Sequence, residues 1–209
     1  MKVAIFGATG RTGIPLVEQA LVAGHEVVAL VRTPAKMTIQ HERLTVVPGD
    51  VMNAADVEQV IAGTDAVISA LSPDRNAPDD LLPTAARNIL AAMQQHNVPR
   101  IVYMTGAGVA APQDQPKLIN HIIKFALKTM AGKVLEQSER AVDLVRESDR
   151  EWIVVRAPML QDGAHTGNIR VGWVGVNTGP RLVRADAADF MLQQLADNTH
   201  VRQAPVISN

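Results

Sequence analysis

A doubly wound α/β fold, a parallel sheet covered by helices on both faces, is what three features of the sequence predict. Short apolar runs rich in β-branched residues alternate with longer segments of helical periodicity. A glycine-rich turn joins the first apolar run to the first helical segment. Of the 209 residues 47% are hydrophobic while only 3% are aromatic, which suits a core of Val, Ile, Leu and Ala.

Lys2–Phe6, Glu26–Val31, Leu44–Val47, Ala66–Ala70, Ile101–Met104 and Trp152–Val155 read as strands buried on both faces of the sheet. Between them Ile14–Ala23, Ala54–Ala62, Leu81–His96 and Lys117–Glu147 read as helices, with Gly24 and Gly63 where C-terminal caps belong. The last segment is too long for an ordinary helix, and its Ala131-Gly132 pair predicts a break or kink. Beyond Val155 the rhythm changes. Ile169–Val176, Asn177-Thr178-Gly179-Pro180 and Arg181–Val183 predict a hairpin or two short strands, Ala185–Asp197 a helix and Ala204–Ser208 a last strand. With no repeat, linker or low-complexity tract, residues 1–209 are expected to form a single domain with a small C-terminal elaboration, residues 156–185 lying on the substrate side.

Composition removes several function classes. A chain of this length buries about 70% of its unfolded surface, so no disulfide or metal staple is required. It has no cysteine, which excludes disulfides, thiolate zinc sites, iron–sulfur clusters and cysteine nucleophiles. A net charge of -1 and few aromatics argue against a nucleic-acid partner. The histidines lack carboxylates at metal-ligand spacing, so no metal is expected. Met1-Lys2 runs straight into a short apolar run, and no segment reaches the ~20 apolar residues that span a bilayer, so a cytoplasmic protein without a membrane partner is expected.

The chemistry-bearing signal is Gly7-Ala8-Thr9-Gly10-Arg11-Thr12-Gly13, between strand and helix. Gly7 suits the tight turn, Gly10 lets backbone approach a pyrophosphate, and Gly13 permits close helix–strand packing. The helix N-terminus then offers free N–H groups to the phosphates. Read blandly, the same residues make an ordinary tight turn. The second strand ends at Arg32 and Thr33, with Lys36 just beyond, where an acid would receive a ribose 2′-hydroxyl in an NAD site. A guanidinium there grips a 2′-phosphate, which favours NADP; the alternative is a solvated strand-end charge. Arg11 offers a second cation. Asp50, followed by Val51, is placed either to accept from an adenine amino group or to cap the next helix. Ala70, Leu71 and Ser72 follow the fourth strand, at the sheet edge where ligands bind in this architecture, the Rossmann fold.

Together these residues resemble the atypical short-chain dehydrogenase/reductase superfamily, and its NmrA-like and flavin reductase (biliverdin reductase B-like) NAD(P)-binding branch most. The resemblance runs through Asp65-Ala66-Val67-Ile68, Ala86-Arg87-Asn88-Ile89, Tyr103-Met104-Thr105-Gly106, Arg146-Glu147-Ser148, Val155-Arg156-Ala157-Pro158 and Ala185-Asp186-Ala187-Ala188-Asp189-Phe190. It implies that Arg87 approaches the phosphates and that the nicotinamide lies against Ser72, Met104, Thr105, Pro158 and Met159. The wider superfamily uses a Ser/Tyr/Lys proton relay. Those positions fall on Gly106 and near Val134 and Ser138 here, which leaves Thr105 as the candidate hydroxyl.

The expectation is therefore an NADPH-dependent oxidoreductase passing hydride to a small-molecule acceptor, a flavin (FMN or FAD), a quinone or similar, without that relay. An NADP(H)-binding redox sensor of NmrA type is the alternative, and a sugar-nucleotide epimerase-like enzyme the third. A monomer or homodimer is expected. Pro112–Met130 is the expected substrate cover, with Leu118, Ile119, Ile122, Ile123, Phe125, Ala126 and Met130 apolar between Lys117, Lys124 and Lys128; the same face also suits core or a dimer contact. His121 lies on this segment, and His165 is placed to reach the site mouth.

Overall fold

A computed structural model describes residues 1–209 except Arg75 and the side chains of Ile123, Lys124 and Leu127. Among the described residues ten strands and five α-helices follow in the order β1 (Lys2–Phe6), α1 (Gly13–Val22), β2 (Glu26–Val31), β3 (Leu44–Pro48), α2 (Ala54–Ile61), β4 (Ala66–Ser69), α3 (Leu81–Gln95), β5 (Arg100–Gly106), α4 (Leu118–Glu147), β6 (Glu151–Ala157), β7 (Met159–Gln161), β8 (Arg170–Gly172), β9 (Arg181–Val183), α5 (Arg184–Gln193) and β10 (Val206–Ser208). Eight strands form one sheet in the order β3-β2-β1-β4-β5-β6-β10-β8, all parallel except the β10–β8 pair. The chain winds outward from β1 to β3 and returns beside β1 as β4. Strand order therefore reverses between β1 and β4, where a doubly wound sheet opens a crevice.

Strand alternation divides the core between two faces. Ala4 and Phe6 pack with Val57, Ile61, Ile89 and Val142 beneath α2, α3 and α4. Val3 and Ile5 pack with Leu16, Val17, Ala187 and Met191 beneath α1 and α5. Both faces of β1 are sealed, which is why its sequence is a continuous apolar run.

Of the two readings for residues 169–183, the structure takes two short strands and not a hairpin. Ile169–Val176 supplies β8, which pairs with β10 and not with β9; the turn at Trp173–Val176 closes by a single antiparallel bridge. Arg181–Val183 pairs in parallel with Met159–Gln161 as a separate two-stranded sheet. A side chain at Gly172 would collide with the Val176 carbonyl at 2.3 Å, so the chain folds tightly there. The expected kink in α4 is present, at Ala131 (φ -141°, ψ 32°). It separates a half with buried Gln137, Ala141, Val142 and Val145 from one whose Leu118, Ile119, Ile122, Phe125 and Met130 are exposed.

Candidate functional site

At the switch point the glycine loop is held by its own backbone. Gly10 N–H donates to the Gly7 carbonyl at 2.9 Å, and Ile14 N–H to the Gly10 carbonyl at 3.0 Å. Gly7 has φ +81°, and a Cβ on it would lie 2.7 Å from the Ala70 carbonyl oxygen. The loops leaving β1 and β4 are therefore in contact, and only glycine fits between them. A Cβ on Gly13 would sit 2.0 Å from the Gly7 carbonyl, the close packing that its position in the motif predicts. Gly10 differs. A Cβ there meets one atom within 4 Å, the Gly7 carbonyl at 3.1 Å, because beyond it lies open cavity. No side chain caps α1 at Thr12, and its first turn carries no acid, so its free N–H groups are left for an anion. By contrast Asn53 caps α2, accepting from Ala55 N–H, and Asp56 lies in its first turn.

The cavity has a volume of about 600 Å³ and runs along the carboxyl ends of the strands. Gly7, Thr9, Gly10, Arg11 and Thr12 line its middle, and Arg32, Thr33, Lys36, Gly49 and Val51 line one end. Ala70, Leu71 and Ser72 continue the wall toward Met104, Thr105 and Gly106. Val134, Leu135 and Ser138 of α4, with Pro158, Leu160 and Arg184, close the other end. Among the described residues the ionisable side chains on this wall are Arg11, Arg32, Lys36 and Arg184; no Asp, Glu, His or Tyr lines it. An all-cationic cleft with a free helix N-terminus is built for a ligand carrying several negative charges.

Several predicted site residues lie off the wall. Ala8 is buried under the loop, and Gly13 is its packing contact. Asp50 is occupied locally: its Oδ1 accepts from Met52 N–H at 2.9 Å, and Asn53 takes the capping role. Arg87 is exposed on α3, which reaches the cavity through Leu81 and Leu82 instead. Met159 points outward while its neighbours Pro158 and Leu160 line the wall. The expected cover Pro112–Met130 contributes nothing to the wall among the described residues, since α4 enters it only from Ala131; of that segment, the side chains of Ile123 and Lys124 lie outside the described residues. His121 is exposed, and His165 is drawn away to Asp189 (3.2 Å) and Asp186 (3.5 Å).

Gly106, Val134 and Ser138 all face the cavity, and the Ser138 hydroxyl donates to the Val134 carbonyl at 2.7 Å. Tyr103 is buried in β5 without a hydrogen-bond partner, and burial pushes its hydroxyl up, out of any range useful for proton transfer.

Two buried carboxylates, Asp114 and Asp186, tie down loops of the β5–β6 side and the C-terminal region. Arg156, fully buried, donates to both carboxylate oxygens of Asp114 (2.8 and 2.7 Å) and to the Val109 and Ala204 carbonyls. Burial alone would raise the Asp114 carboxyl, but the Arg156 bonds and the Ala111 and Val174 N–H groups hold it below its ordinary value. Asp186 is likewise lowered: against its burial, it accepts from Thr166 N–H and Oγ1, Gly167 N–H and Asn209.

A doubly wound sheet with a cationic cleft at its switch point defines a dinucleotide-binding protein. The comparisons name the family. A family model described as NAD(P)H-binding matches residues 7–198, and the chain belongs to that family. It is 30% identical over 211 aligned residues to YwnB of Bacillus subtilis (strain 168), covering 96% of this chain and 94% of that protein. Over 117 residues it is 32% identical to cinnamoyl-CoA reductase 1 of Oryza sativa subsp. japonica, covering 51% of this chain but only 34% of the reductase. The chain thus spans about a third of the length of such curated relatives. Among solved structures, a short-chain dehydrogenase/reductase of Veillonella parvula DSM 2008 in complex with NADP superposes with a TM-score of 0.79 at 17% identity, covering 100% of this chain and 94% of that one. No helix among the described residues is long and apolar enough to cross a membrane, and none of their His, Asp and Glu side chains cluster as a metal site.

Proposed function

We propose that the protein is an NADPH-dependent oxidoreductase that passes hydride directly to a planar acceptor such as a flavin or a quinone, with no protein acid or base in the step. The observation that carries this reading is the wall itself: four cations suited to an anionic dinucleotide, and neither carboxylate, imidazole nor phenol within the described lining. The bound nicotinamide would supply the hydride. Thr9, Gly10 and Thr12 with the α1 N-terminus would hold the pyrophosphate. Arg32 and Lys36 would take the 2′-phosphate, and the weak Arg32–Asp74 contact at 3.5 Å, exposed on both sides, yields readily to it. Met104, Thr105 and Pro158 would flank the nicotinamide, with Val134, Leu135 and Leu160 as the apolar floor for the acceptor. An alcohol substrate needs a base for its hydroxyl proton, whereas a flavin or quinone draws its proton from solvent.

The same empty relay positions suit a redox sensor that binds NADP(H) without consuming it. Steady-state oxidation of NADPH with FMN, against a protein-free blank, separates the two. Saturable turnover is expected; bound NADPH with no turnover on FMN or a soluble quinone would favour the sensor.

A further inference from the structure

Of the four cations on the described cavity wall, Arg32 and Lys36 face the 2′-phosphate in the reading above and Arg11 belongs to the glycine loop beside the pyrophosphate; Arg184 lies near neither. Arg32 directly follows β2, whereas Pro158 follows β6, four strands away, a separation of about 19 Å at ~4.8 Å per strand. Arg184 stands at that far end, following β9, which pairs with β7 immediately beyond Pro158. NADPH carries its negative charge on the 2′-phosphate and the pyrophosphate, toward β2 and the α1 N-terminus. Neither group needs a guanidinium beside Leu160.

A buried arginine with spare donors is an unfinished site. The Arg184 side chain is only 9% exposed, and its one described partner is Asp162, which accepts from Nη1 at 2.7 Å and is itself 76% exposed. Among the described residues Nε and Nη2 have no protein acceptor, and they are not among the buried atoms sealed from solvent. Of the five N–H donors of the guanidinium only one is used by a described protein acceptor, and the others, open to the cavity, are free for a ligand. The fork geometry selects oxyanions, a carboxylate or a phosphate.

We propose that Arg184 is the anion-recognition residue of the acceptor half, selecting hydride acceptors that carry a phosphate or carboxylate. This rests on the acceptor entering at the β5–β6 end, but its test does not require turnover. FMN and riboflavin share one ring system and differ by the phosphate, so each is titrated, by flavin fluorescence, into protein saturated with NADP⁺. The wild type is expected to bind FMN about tenfold more tightly than riboflavin. Arg184→Gln should erase that difference while riboflavin and NADP⁺ affinities stay within about twofold, and Arg184→Lys should restore part of it. Asp162→Asn, an exposed change that removes the counter-charge, should shift the other way and tighten FMN; a purely structural Arg184–Asp162 pair would weaken both flavins. The proposal is overturned if the wild type shows no preference or binds neither flavin, or if the preference survives Arg184→Gln. It is also overturned if NADP⁺ affinity falls in step with FMN, which would make the cofactor's own phosphate the anion. Failed NADPH turnover with the binding preference intact would count against the hydride reading alone.

Discussion

At its β1–β2 end the cleft is made from a few short stretches of chain, Gly7–Thr12 and Arg32–Lys36 with Gly49 and Val51, whereas its β5–β6 end is assembled from Met104–Val109, Ala131–Ser138, Ala157–Leu160 and Arg184. The first end is governed by backbone. Two of its glycines sit where a Cβ would approach a carbonyl oxygen to 2.7 Å or less. The second is governed by side-chain packing around a helix kink and by the buried Arg156–Asp114 pair, which ties the loop after β5 to β6. Backbone geometry tolerates almost no substitution, so the loop proposed to hold the phosphates is rigid. A wall of side chains can be resized without moving the sheet, so on the proposed reading this is the end where acceptor choice would be set.

The contrast can be broken at its strongest point by Gly10→Val. The new Cβ meets only one protein atom and the side chain projects where the cavity lies, so NADPH and NADH affinity should both fall by about a hundredfold or more while Tm moves by a few degrees at most. Retained affinity, followed by calorimetric titration, would reduce the loop to a mere turn. At the other end Asp114→Ala strands a fully buried guanidinium and should cost about 3 kcal/mol in a urea melt. Acid should act in the same direction. Because Asp114 and Asp186 titrate below their ordinary value when folded, their contribution is complete above the unfolded carboxylate range and drains as pH falls through the lower native values. Melts that gain stability on acidification through that range would contradict the assignment.

Smaller effects sharpen the comparison. Arg32→Glu should weaken NADPH by roughly 10–100-fold and leave NADH nearly unchanged; equal losses would remove the 2′-phosphate role. Leu135→Ala should raise the acceptor KM by about three- to tenfold with NADPH affinity unaltered. A matching loss of NADPH affinity would show that α4 belongs to the cofactor half.

The legibility of the sequence follows the same divide. Gly7–Gly13, Arg32 and Thr33 could be read because local geometry imposes residue types at fixed spacing. The strands of the main sheet were readable as apolar runs, and the α4 kink from Ala131-Gly132. Leu160 and Arg184 fall within residues 156–185, expected on the substrate side, but neither they nor Leu81 and Leu82 could be singled out, because each reaches the wall through long-range packing that no spacing encodes. The amphipathic half of α4 suggested a cover through Leu118, Ile122 and Phe125, yet the kink turns the following turns, with Val134, Leu135 and Ser138, onto the cavity instead. His165 carried no local sign of its capture by Asp186 and Asp189, some 20 residues onward and brought close only by the fold of the C-terminal region. The sequence left open a hairpin or two short strands there for a related reason: β8 and β9 follow each other in the chain, but their partners, β10 and β7, lie elsewhere.

On the proposed reading this cleft moves hydride with no titrating protein group at the reacting centre. Its most direct test is the pH dependence of kcat for NADPH oxidation with FMN. With only Arg and Lys among the ionisable groups on the described wall, kcat should be flat from about pH 6.5 to about pH 8.5. A limb within that window, abolished by replacing a single His, Asp or Glu, would contradict it.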